Sequence, residues 1–117
     1  MKTRKEIKAE YKLMKFPMGI FQIRNKVNGK IFVGSSTDLK AIWFAQKLQL
    51  DVGIHQNAEL QQDWKQFGAD QFAYEILEEI KQDDEKEIDY TKELKTLEEM
   101  VISELKPFNE KGYHKQK

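Results

Sequence analysis

Gly19-Ile20-Phe21-Gln22-Ile23-Arg24-Asn25-Lys26-Val27-Asn28-Gly29-Lys30-Ile31-Phe32-Val33-Gly34 has the pattern of a β-hairpin. Asn-Gly between runs of β-branched and aromatic residues is the strongest short-range hairpin signal, because a two-residue type I′ turn needs positive φ at both central positions. With Asn28 and Gly29 as the loop, Val27 is expected to face Lys30, Asn25 to face Phe32 and Ile23 to face Gly34. Side chains alternate along a strand, so Phe21, Ile23 and Asn25 share a face with Phe32 and Gly34, and Arg24 points the other way. A slip of one residue would separate the two Phe rings.

Outward from the hairpin, the pattern becomes helical. Residues 2–14 are charged, with Ile7, Tyr11 and Met14 at helical spacing, which predicts a short N-terminal helix stopped by Pro17. Ser35-Ser36-Thr37-Asp38 is a capping cluster, and Leu39 to Leu50 lacks Gly and Pro. Trp43, Phe44, Leu48 and Leu50 make that helix apolar over much of its circumference, so it is expected to be largely buried. Asn57 caps a second helix carrying Leu60, Trp64 and Phe67, and Gly68 terminates it. Phe72 to Ile80 alternates as a third strand. The acidic run Glu78 to Asp89 reads as a solvated connection, and a last helix runs from Thr91 to Leu105 before Pro107. Trp43, Trp64, Phe67 and Phe72 fall on apolar faces and read as core.

At 117 residues the chain is one domain with a single core. Cysteine is absent, which removes disulfides, zinc-thiolate sites and thiol nucleophiles. No apolar run approaches ~20 residues and the N-terminus leads into no signal-peptide core, so a soluble, cytoplasmic protein without a membrane partner is expected. The net charge of zero conceals a polarity. Residues 1–50 hold 11 Lys or Arg against 3 Asp or Glu, and residues 51–117 hold 9 against 17. The basic half could meet phosphates through Lys15, Arg24, Lys26, Lys30, Lys40 and Lys47. Equally, the two halves could attract each other within the fold.

Glu98 is the carboxylate out of place. At about 100° per residue, Leu94, Val101, Ile102 and Leu105 all fall within about 60° of it on the last helix. A carboxylate in an apolar stripe must meet a cation, several donors or a solvent-filled cleft. No second carboxylate shares its face, so a metal held there would have one protein side chain, with water and substrate oxygens completing the shell.

Taken together, Gly19-Ile20-Phe21-Gln22-Ile23, Ile31-Phe32-Val33-Gly34-Ser35-Ser36, His55, Ile76-Leu77-Glu78, Glu98 and Phe108-Asn109 resemble the GIY-YIG endonuclease domain, a family that cleaves DNA phosphodiesters with a divalent metal. The resemblance implies an α+β fold, a small three-stranded antiparallel sheet flanked by helices. It places that domain at residues 18–109, after an N-terminal helical extension over 1–17 and before a basic tail over 110–117. Tyr113 and His114 in that tail are expected to be disordered.

Residue by residue, the resemblance implies that Glu98 is the metal ligand for Mg or Mn, bound weakly, and that His55 and Asn109 occupy polar family positions. Phe21 and Phe32 stand at the two tyrosine positions, without the hydroxyl that would position or deprotonate water. Ile42 stands where the family's arginine would reach the scissile phosphate. The sequence has two arginines, Arg4 and Arg24, and neither lies near that place. Lys40 and Lys47 point well away from Ile42 around the helix. Three functions are compatible with this chain: an impaired nuclease-family domain that binds nucleic acid, an active metal-dependent endonuclease, and a protein-interaction module on the same fold.

Overall fold

The computed structural model describes residues 16–82 and 90–115. The N-terminal helix expected over residues 2–14, Lys15 and most of the acidic connection lie outside the described residues. The expected elements form in the expected order. They are β1 (Gly19–Asn25), β2 (Ile31–Ser36), α1 (Leu39–Val52), α2 (Ala58–Phe67), β3 (Phe72–Glu79) and α3 (Thr91–Leu105). The strands make one antiparallel sheet in the order β2-β1-β3, so the hairpin's first arm is central.

The alternation of β1 decides the layering. Phe21 and Ile23 pack under α1 and α2 with Leu39, Leu50, Leu60, Trp64 and Phe72. Ile20 points to the opposite face, where it meets Val33, Val101, Leu97 and Ile102 under α3. The architecture is therefore α+β, with helices on both faces of a three-stranded sheet. Trp64 and Phe72 are buried, and Trp43 and Phe67 pack against them, as their apolar faces predicted.

The hairpin register differs from the expected one by two residues. Ile23 pairs with Phe32 and Phe21 with Gly34. The loop is Lys26 to Gly29, closed by Asn25 N–H to the Lys30 carbonyl at 2.9 Å and Gly29 N–H to the Asn25 carbonyl at 2.8 Å. Two asparagine side chains build it: Asn25 Oδ1 accepts from Val27 N–H and Asn28 Oδ1 accepts from Lys30 N–H, each at 2.9 Å. Because the shift is even, the face assignment survives, and Phe21 and Phe32 share a face as expected.

Asp38 caps α1, accepting from Lys40 N–H at 3.2 Å and Ala41 N–H at 3.1 Å. The helix seats Leu39, Trp43, Gln46 and Leu50 against the protein, at i, i+4, i+7 and i+11. It is not largely buried: Phe44, Leu48 and Val52 occupy the reverse face and are 70%, 54% and 59% exposed. A helix on a sheet contacts it along one stripe, and the second apolar stripe of α1 is turned outward. On α3, Leu94 and Val101 are buried, whereas Leu105 at its end is exposed.

The segment after Pro107 corrects the expected boundary at residue 109. Tyr113 is buried, its N–H donates to the Ile31 carbonyl at 3.0 Å, and His114 N–H donates to the Pro107 carbonyl at 3.0 Å. The segment thus covers the free edge of β2, where unpaired ladder groups would otherwise face solvent. Tyr113 O–H donates to Asp63 at 2.8 Å and accepts from the Asn25 amide at 3.0 Å. A buried hydroxyl with two partners orders a segment that has no secondary-structure signal of its own.

Candidate active site

Between α1, α3 and the β2 arm lies a cleft of about 460 Å³. Phe21, Phe32, Val33, Gly34 and Ser35 form its floor, Ile42 and Gln46 come from α1, Gln56 and Asn57 from the turn before α2, Glu98 from α3 and His114 from the C-terminal segment. The hairpin places both rings. Phe21 is buried, tilted against Tyr74 at 5.6 Å, and a Cβ on Gly34 would lie 2.6 Å from its Cζ. Glycine is required at 34 because the ring tip occupies the space of a side chain.

Phe32 sits between two imidazoles, edge-on to His55 at 5.4 Å and stacked on His114 at 5.3 Å and 7°. His55 Nδ1 accepts from Asn57 N–H at 3.0 Å and its Nε2–H donates to Gln46 Oε1. His114 Nε2 accepts from Val33 N–H at 2.8 Å. Each ring uses a lone pair on a backbone N–H, so each is held neutral. Burial lowers both pKa values from the ordinary histidine value. His55 lies behind Phe32, and His114 is the imidazole that lines the cleft.

Glu98 resolves as the carboxylate facing a cleft. Partial burial raises its pKa, the neighbouring Glu99 adds to the rise, and Lys95 opposes it. Among the described residues it is the one acidic residue lining the cleft, and no group of three His, Asp or Glu converges as a metal cage.

Other expected residues lie elsewhere. Asn109 is exposed, at φ 56°, and does not line the cleft. The C-terminal segment instead brings His114, five residues on, because the chain turns at residues 109–111 before it runs along β2. Arg24 is paired with Glu75 at 2.7 Å on the far face of the sheet. Lys30 is paired with Glu59, Lys47 lies 5.0 Å over the Trp43 ring, and Lys26 and Lys40 are exposed away from the cleft. Gln46, Gln56, Asn57 and Ser35 are cleft residues the sequence reading missed. Gln46 follows Ile42 by one turn of α1, and that spacing was the signal available.

No family model matches the chain. Over 62 residues it is 39% identical to intron-associated endonuclease 1 of Enterobacteria phage T4, and it spans a quarter of that protein's length. Its fold matches the catalytic domain of homing endonuclease I-TevI with a TM-score of 0.65 at 31% identity, over 76% of this chain and 88% of that one. A mutant form of that catalytic domain gives a TM-score of 0.66 at 32% identity, over 78% and 86%. The likeness in fold and sequence to that catalytic domain, over most of both chains, shows a nuclease-type domain. The chain belongs to the GIY-YIG family of the I-TevI catalytic domain.

Proposed function

We propose that this chain is a nuclease-family domain that binds nucleic acid and is impaired in hydrolysis. The observation that carries the reading is the cleft wall: carbon stands at Phe21, Phe32 and Ile42, and among the described residues neither Lys nor Arg lines that cleft. Phosphodiester cleavage gathers negative charge on oxygen, and each missing donor for it typically costs about a hundredfold or more in rate. Neither ring can take or hold a proton. Both imidazoles spend a lone pair on the backbone, which leaves Glu98 as the carboxylate able to accept a proton or hold Mg or Mn in this cleft. A divalent ion bound there would supply Lewis acidity toward a phosphate oxygen.

The test is a reversion set, Phe21→Tyr, Phe32→Tyr and Ile42→Arg together, assayed for Mg- or Mn-dependent cleavage of supercoiled, branched and single-stranded DNA. Cleavage should rise at least a hundredfold over the parent and vanish when Glu98→Ala is added. A parent that already cleaves as fast as the triple variant would sink the impaired reading.

A second reading, a protein-interaction module, is favoured by the outward stripe of α1. Phe44, Leu48 and Val52 are joined there by Ile54, which is 71% exposed. If two copies meet through this stripe, sedimentation gives a mass that rises with concentration and stays monomeric for Phe44→Glu. A parent that is monomeric throughout removes that reading.

A further inference from the structure

Glu98 and Ser35 line a second hollow as well as the cleft. This groove, about 440 Å³, is walled by Ser36 at the end of β2, by Thr37 from the turn before α1 and by Thr91, Leu94 and Lys95 from α3. The two hollows therefore adjoin across Ser35 and Glu98. Lys95 lies three residues before Glu98 on α3, so the two share a helix face. Its charge is felt at the Glu98 carboxyl.

Among the described residues, Lys95 is the one cation lining either hollow. Arg24 and Lys30 are committed to carboxylates and Lys47 to a ring, whereas Lys95 makes no ion pair among the described residues. Asp38 already occupies the α1 N-terminus, so that helix end offers no free anion seat. Ser35 and Thr37, whose hydroxyls can donate, also line the groove.

Resting on the nucleic-acid reading above, we propose that Lys95 is this site's phosphate-binding cation, and that its groove seats the phosphate adjacent to the one at Glu98 on a nucleic-acid strand. A lysine is a point charge without the planar fork of an arginine. It holds a strand in register more readily than it stabilises a transition state, which fits a domain that binds and does not cut. Lys95 comes from the acidic half of the chain and from the last helix, so it does not copy the position lost at Ile42.

The experiment measures fluorescence anisotropy of labelled branched and single-stranded DNA against salt, with Lys95→Met, Lys95→Arg and Lys92→Met. Lys92 removes the same charge from the same helix, but lies with Ile80 and Met100 on another hollow. Lys95→Met should lower the slope of log K against log salt by about one, with Lys95→Arg restoring it and Lys92→Met leaving it unchanged. Its affinity loss should be about threefold greater at about 50 mM than at about 200 mM salt. Equal losses for Lys95→Met and Lys92→Met, or no loss for Lys95→Met, would overturn the proposal. A folded parent that binds no DNA at the lower salt removes the nucleic-acid reading itself, and this inference with it.

Discussion

Gly34 and Tyr113 carry more of the site than their size or place in the chain suggests. In Gly34→Ala the new methyl must displace the Phe21 ring or shift β2, because the ring already lies within 3 Å of the Cβ position. Overpacking of this kind costs about 1–3 kcal/mol. Urea unfolding should show that loss, and Phe21→Leu added to Gly34→Ala should recover part of it. Tyr113→Phe keeps the packing but removes the hydroxyl between Asn25 and Asp63. The buried Asn25 amide then lacks a good partner, at about 1–3 kcal/mol. An unchanged unfolding midpoint in Tyr113→Phe would show that the segment is held by packing alone.

At the scale of elements, local chemistry decides where helices begin, and α1 tests it most simply. Asp38→Ala leaves two N–H groups without the carboxylate that accepts from them, so the domain should lose about 1 kcal/mol in thermal unfolding. Such signals are what the sequence displays openly. The Asn28-Gly29 pair, the capping cluster before α1, Asn57, Gly68, the alternation of Phe72 to Ile80 and Pro107 marked the three strands and three α-helices, though not the short 3-10 turns at 69–71 and 109–111. The register was harder to see, because Asn25 and Asn28 turn their side chains back on the loop and lengthen it from two residues to four. The burial of α1 was misjudged because composition counts apolar residues and cannot tell two stripes from one. Nothing periodic announces the run from Lys111 to His114, whose order comes from β2, Asn25 and Asp63. Summing charge by halves hid Lys95, since a surface is assembled from both.

For the whole molecule, the two imidazoles link stability to pH. Burial lowers their folded pKa values below the unfolded one, so the unfolded chain binds more protons as the solution becomes acidic. Stability then rises with pH through the interval below about 6.5 and levels off above it. Protonation would also set His55 Nδ1 against Asn57 N–H and His114 Nε2 against Val33 N–H, donor against donor. The melting temperature should fall between pH 7.5 and pH 5.5, and His114→Asn should flatten part of that fall. A parent profile that is level over this range would mean that both rings accept a proton without losing their partners.

The strap along β2 also sets an order of assembly. His114 follows every other cleft residue in the sequence, so during synthesis it emerges after them. Until then the hairpin, α1 and Glu98 have one wall open and the edge of β2 uncovered. The two-sided cleft is thus completed after the rest of the domain, and a translation product stalled before residue 113 would carry the family's fold markers without the pocket they frame.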